Sequence, residues 1–137
     1  MTSACILGLE GTVLEKRERA FFRDLQPWGF ILFKRNIDTP EQVRALTAAL
    51  RDLTGRDDTP ILIDQEGGRV QRMGPPHWPK YPPGRAYGEA GANDPLVRRE
   101  LTRLGARLMA HDLLSVGINV DCVPVLDVPA TVAASLP

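Results

Sequence analysis

The chain has little of what would commit it to a membrane, a nucleic acid or an oxidising compartment. It has two cysteines, Cys5 and Cys122, among 137 residues. Both fall inside predicted strands and read as small buried hydrophobes of a reducing compartment. Neither sign of charge is in excess. Seventeen basic and 17 acidic residues cancel to a formal net charge of zero, so no broad basic field exists to attract nucleic acid or an anionic membrane surface. No run approaches the ~18 apolar residues of a membrane span. The N-terminus lacks a basic segment followed by a long apolar run, so no signal peptide is expected and the chain reads as cytoplasmic. Zinc spacings, a phosphate loop and a dinucleotide fingerprint are all missing. The two histidines, His77 and His111, lie far apart without a ligand partner at suitable spacing, and both read as structural.

What is present is an alternation of strand and helix in a chain the size of one ordinary domain. Hydrophobic residues make up 43% and charged residues 25%, as in a typical soluble domain. Apolar runs at 4–9, 29–33, 60–63 and 118–126 predict four strands. Thr12 and Glu15 have capping-box spacing and predict a helix to about Leu25, with Phe21, Phe22 and Leu25 buried, stopped by Pro27. Thr39-Pro40-Glu41-Gln42 is a strong helix start, with threonine as cap and proline at the first helical position. Val43, Leu46, Leu50 and Leu53 then recur at helical spacing, and Gly55 suits the left-handed residue past the end. Residues 65–93 are rich in glycine and proline and predict a long functional loop. Asp94-Pro95 opens the longest helix, whose predicted buried face is Val97, Leu101, Leu104 and Leu108. Continuously apolar strands suit a parallel sheet buried on both faces.

In α/β folds, ligands bind outside the carboxyl ends of the strands. Those ends deliver Glu10, then Lys34-Arg35-Asn36, then Asp64-Gln65-Glu66, then Asp127. Four polar strand ends on one rim favour a ligand site. The densest is Asp64-Gln65-Glu66-Gly67-Gly68-Arg69-Val70-Gln71-Arg72. A carboxylate such as Asp64 can accept hydrogen bonds from two sugar hydroxyls at once. Gly67-Gly68 permits a sharp turn close to a ligand, and Arg72 can fork onto a hydroxyl pair or a carboxylate. Arg69 and Glu66 read as structural, with Glu66 paired to an arginine. Asp127 is expected to orient other groups of the site. Trp28 and Trp78 read as packing residues, with Trp78 available to a sugar-binding lip.

The motif from Asp64 to Arg72 closely resembles the signature of bacterial β-N-acetylhexosaminidases of glycoside hydrolase family 3. Gly29-Phe30-Ile31-Leu32-Phe33-Lys34-Arg35-Asn36 is similar to their second-strand motif. Gly117-Ile118-Asn119-Val120-Asp121, followed by Val123-Pro124-Val125-Leu126-Asp127-Val128, is similar to the fourth. The three come in family order with family-like gaps. The resemblance implies a (β/α)8 TIM barrel of the α/β class with about its first four β/α units present, so that residues 1–137 form the N-terminal half of a barrel domain.

It also implies an enzyme of cell-wall recycling that removes terminal β-linked N-acetylglucosamine from peptidoglycan fragments, such as N-acetylglucosaminyl-anhydromuramyl peptides. Such an enzyme works without cofactor or metal. Asp64 and Arg72 take the family's substrate-binding roles. The family's retaining mechanism uses an aspartate nucleophile and a histidine acid/base that belong to later segments, so no catalytic residue is expected in this chain. The Asp64–Glu66 pair is too close in sequence to act as the two carboxylates of a retaining glycosidase. Two further readings stand beside this one. Four strands leave open edges, so a non-catalytic sugar-binding half-barrel that oligomerises is one. A lyase or aldolase using Lys34 as a Schiff base is the other.

Overall fold

A computed structural model describes residues 1–90 and 92–126. Its elements run β1 (Ser3–Gly8), α1 (Lys16–Leu25), β2 (Pro27–Leu32), a 3₁₀ turn (Lys34–Asn36), α2 (Pro40–Thr54), β3 (Ile61–Ile63), β4 (Gln65–Gly67), β5 (Val70–Gln71), α3 (Gly84–Ala90), α4 (Pro95–Ser115) and β6 (Val120–Asp121). Strands β1, β2, β3 and β6 form one parallel sheet in that order. The sheet therefore grows by one strand per crossover, as the first part of a barrel does.

Register decides what each face carries. Gly8, Ile31, Leu62 and Val120 align across the four strands, and Leu7, Phe30 and Ile61 form the row beside them. Side chains alternate between faces. Phe30, Leu32, Ile61 and Ile63 are fully buried and meet Phe22 of α1 and Val43, Leu46 and Leu50 of α2 in one core. Phe22 meets Phe30 edge-on at 5.2 Å between centroids. Burying each such side chain stabilises the fold by roughly 1.5–3 kcal/mol.

The expectation of burial on both faces does not hold: Ile6 is 42% exposed and Gly8 is exposed. Helices α1 and α2 cover only one face of the sheet. The cysteines differ from expectation too. Cys5 is half-buried and Cys122 is exposed, because Cys122 shares the open face with Val120.

Local chemistry sets the helix ends. Thr39 Oγ1 accepts from the Gln42 N–H at 3.2 Å, Pro40 occupies the first turn, and Gly55 ends α2 with φ +66°. Helix α1 begins later than Thr12 implies. Glu15 is its cap residue, and buried Glu18 accepts from the Glu10 and Glu15 N–H groups at 2.9 and 3.2 Å. Gly29 lets β2 approach β3: a Cβ there would lie 2.7 Å from the Pro60 carbonyl oxygen. On α4, Val97, Leu104 and Leu108 are exposed, while Gly105, Met109 and Leu113 face inward. Apolar residues lie nearly all round this helix, so periodicity alone selected the wrong stripe.

Polar side chains then pin the approach to β6. Thr47 Oγ1 donates to the Val116 carbonyl at 2.8 Å and Arg51 Nη2 to that of Gly117 at 2.7 Å. Asn119 Oδ1 accepts from the Ile61 N–H at 2.7 Å.

Candidate functional site

Alternation along β3 assigns the first site residue. Ile61, Ile63 and Gln65 point to the covered side, and Gln65 is fully buried. Leu62 and Asp64 therefore point to the open side, at the carboxyl end of the sheet. Arg72 follows the β4–β5 hairpin and returns to the same spot. Its Nη2 donates to Asp64 Oδ2 at 2.8 Å, with the side chains 27% and 24% exposed. This carboxylate–guanidinium pair is partly shielded from water while keeping a solvent-facing side. Arg72 Nε is buried and has no acceptor among the described residues. The guanidinium also stands 5.9 Å from the Phe33 ring centroid, and Arg35 lies 4.9 Å from the same ring.

The hairpin that delivers Arg72 lies inside the predicted loop. Its signal was the glycine pair. Gly68 opens the turn with φ +62°, and Gly67 sits at the register irregularity with φ +84°. Hairpin turns of the primed types need positive φ, which glycine supplies without a steric penalty. Close approach reinforces the requirement. A Cβ on Gly67 would overlap the Pro82 carbonyl oxygen, and one on Gly68 would lie 2.7 Å from Pro83 Cβ. The proline segment thus packs directly on the hairpin. The Gly68 N–H donates to the Tyr81 carbonyl at 2.8 Å, and Tyr81 Oη donates to Asp112 Oδ2 of α4 at 2.6 Å. Burial, then that bond to Asp112, push the Tyr81 phenol well above its usual range. Regular helix is excluded only as far as the last proline, and α3 begins just after Pro83.

The remaining rim residues divide into scaffold and surface. Asn36 is fully buried, and its Nδ2 donates to the carbonyls of Leu9 and Gly11 at 3.2 and 2.8 Å. Arg35 Nε also donates to the Leu9 carbonyl, at 2.8 Å. Both tie the end of β1 to the end of β2. Lys34 and Arg69 are exposed. Glu66 has no arginine at ion-pair distance among the described residues, contrary to its expected pairing. Asp127 lies outside the described residues. Trp78 is buried against the core, whereas Trp28 is 47% exposed. His77 and His111 are exposed. Among the described residues no group of three His, Cys, Asp or Glu side chains is placed to hold a metal ion. No described helix is long and apolar enough to cross a membrane.

Sequence reasoning missed two neighbours of the pair. Asp121 Oδ1 accepts from the Gln65 N–H at 3.0 Å. Burial raises its carboxyl above the ordinary range; the Gln65 and Cys122 N–H groups oppose this, and the Asp64 and Glu66 charges add to it. The Cys122 thiol is also pushed up, first by its partial burial and then by a hydrogen bond to Asp64. The signal available was alternation: Asp64 continues the face of Leu62, and Cys122 that of Val120.

A parallel strand–helix succession with a carboxylate–guanidinium pair at its carboxyl rim is the opening part of a barrel-type α/β fold. Residues 8–136 match the glycosyl hydrolase family 3 N-terminal domain, and the chain belongs to that family. A β-hexosaminidase from Alkalilimnicola ehrlichii is 40% identical over 122 residues, covering 89% of this chain and 34% of that protein. One from Xylella fastidiosa is 38% identical over 126 residues, covering 89% and 36%. The chain thus spans about a third of the length of the curated relatives it matches. Native NagZ from Neisseria gonorrhoeae superposes with a TM-score of 0.85 at 29% identity, over 93% of this chain and 37% of that one. The same enzyme was solved with N-trifluoroacetyl-D-glucosamine, again with a TM-score of 0.85 at 29% identity, over 93% and 37% of the two chains.

Proposed function

We propose that residues 1–137 form the N-terminal half of a family 3 β-N-acetylhexosaminidase barrel and carry part of its sugar site. The observation that carries this reading is the 2.8 Å Asp64–Arg72 pair on the open side of the sheet. Asp64 accepts hydrogen bonds from adjacent ring hydroxyls of a terminal N-acetylglucosamine. Arg72 holds the carboxylate in place and presents its remaining donors to the sugar oxygens. Hydrogen bonds to charged groups contribute about 1.5–3 kcal/mol each, enough to orient one hexosamine. The N-trifluoroacetyl-D-glucosamine complex of the gonococcal NagZ supports a hexosamine as ligand.

The whole enzyme hydrolyses β-linked N-acetylglucosamine from peptidoglycan fragments in the cytoplasm, with retention and without a cofactor. The nucleophile and the acid/base come from outside these 137 residues. The test has two arms. Saturation-transfer NMR with N-acetylglucosamine should give signal from the purified chain, and Asp64→Ala should abolish it. A chromogenic β-N-acetylglucosaminide should not be turned over. Absence of sugar signal refutes the site, and turnover refutes the division of labour.

Exposed apolar side chains favour a second reading, a sugar-binding half-barrel that self-associates. Ile6, Trp28, Leu104 and Leu108 are each more than 40% exposed, which leaves apolar surface for a second copy. Sedimentation decides: a monodisperse dimer supports it, a monomer removes it.

A further inference from the structure

Two glutamines flank the hairpin, and the proposed sugar-site role uses neither. Gln65 sits next to Asp64 in the chain but points the opposite way, into the protein, and is fully buried. Its Oε1 accepts from the N–H groups of Arg72 and Met73, both at 3.0 Å. Its Nε2 donates to the Met73 carbonyl at 2.8 Å. Three of the four hydrogen-bonding positions of one buried amide thus clasp the peptide units on either side of the Arg72–Met73 bond. Gln71 Nε2 donates to the same Met73 carbonyl at 2.7 Å and to that of Pro79 at 2.7 Å, and its Oε1 accepts from the Tyr81 N–H at 2.9 Å. Met73 is itself a core residue.

We infer that Gln65 is a positioning residue that sets Arg72 against Asp64. Adjacent residues on a strand face opposite ways, so the chain uses one for the ligand and the next to hold the ligand's second partner. The Arg72 backbone has no strand partner of its own to fix it, because β5 ends at Gln71. The Gln65 amide stands in for that missing ladder. Glutamine suits the task because it accepts twice and donates once. In Gln65→Glu both acceptors remain, but an oxygen replaces the donor that faces the Met73 carbonyl. In Gln65→Leu all three bonds go and two buried N–H groups are orphaned. Gln71 shares only the Met73 carbonyl with Gln65, accepts from neither the Arg72 nor the Met73 N–H, and spends its other two bonds on the proline segment, so Gln71→Leu serves as the comparison.

This inference rests on the sugar-binding reading only for its functional consequence, and the test separates the two. In 15N NMR of the full chain, the Arg72 Nε–H resonance, assigned by its loss in Arg72→Lys, should be distinct from those of exposed arginines. Gln65→Glu should move it into the exposed-arginine region, with circular dichroism unchanged. Titration with N-acetylglucosamine should weaken by about tenfold or more in Gln65→Glu. In an Arg72→Ala background the same change should cost less than about twofold, because its partner is already gone. Gln71→Leu should leave the Arg72 resonance in place. A wild type that binds no sugar sinks the functional reading, yet the Nε resonance still reports on positioning. The inference is overturned if folded Gln65→Glu keeps the Arg72 resonance, or if its loss of affinity is the same with and without Arg72. It is also overturned if both Gln65 variants fail to fold, since Gln65 is then a structural residue.

Discussion

Gly67→Ala gives a quantitative check on how the site is assembled. Gly67 holds φ +84°, and a Cβ there overlaps the Pro82 carbonyl oxygen, which is backbone and cannot rotate aside. The left-handed conformation costs an L-residue roughly 1–2 kcal/mol. Forcing an extra carbon into packed surroundings typically costs about 1–3 kcal/mol. Alanine also narrows the unfolded ensemble, which offsets roughly 0.4–1 kcal/mol of the loss. The net destabilisation is about 1–5 kcal/mol, large against the ~5–15 kcal/mol that holds a typical domain together. With a urea dependence of about 1–3 kcal/mol per M, the midpoint should fall by roughly 1 M. Gly84→Ala is the control, because a Cβ there meets nothing within 4 Å. Hydrogen exchange adds a local readout: the Gly68 amide, bonded to the Tyr81 carbonyl, should lose protection in Gly67→Ala first. A Gly67→Ala protein with the midpoint and amide protection of Gly84→Ala would refute the claim that the proline segment is clamped onto the hairpin.

Three further outcomes follow from the same geometry. Gly29→Ala should destabilise the sheet by about 1–3 kcal/mol in urea denaturation, because its Cβ meets the Pro60 carbonyl oxygen at 2.7 Å; an unchanged midpoint contradicts the close approach of β2 and β3. Asp121 has a raised carboxyl pKa in the folded state, so the fold binds its proton more tightly than the unfolded chain does. Its contribution is greatest below the ordinary value of 3.8 and falls as pH rises through the raised one. Asp121→Asn should remove that fall and leave the protein at least as stable as wild type at pH 7, and a less stable variant would count against it. Cys122 should alkylate with iodoacetamide more slowly at pH 8 than a free thiol, because its thiolate is disfavoured. Asp64→Asn should speed it, and equal rates in the two proteins would contradict the thiol's contact with Asp64.

Much of the fold was legible because its signals are local. The Thr39 cap, Pro40 and Gly55 set the ends of α2 by backbone chemistry alone, and the apolar runs at 4–9, 29–33 and 60–63 carry β1, β2 and β3, whereas the run at 118–126 yields only the short β6. The open sheet face was not legible, since apolar strands look alike whether one or both faces are covered. Helix α4 misled for a related reason: Leu104 and Leu108 keep helical spacing as well as Gly105 and Met109 do, and only the contact with α3 and the core chooses between them. In the site, the strand-end position marked Asp64, but the eight-residue return of Arg72 depends on the hairpin. Gly67-Gly68 signals a sharp turn close to a ligand, but the clamp from Tyr81 and Pro82 is a contact at a distance that spacing does not encode. In the sequence, a glutamine beside a carboxylate looks like one more polar group on the rim. Alternation along β3 sends it the other way.

A crystal structure of the 137-residue chain with N-acetylglucosamine tests the central claim most directly. The sugar should lie on the open side of the sheet at the carboxyl end of β3, with two ring hydroxyls on the Asp64 carboxylate and Arg72 still paired to it. Density for the sugar elsewhere, or a ligand-bound chain in which Asp64 and Arg72 touch only each other, would contradict it.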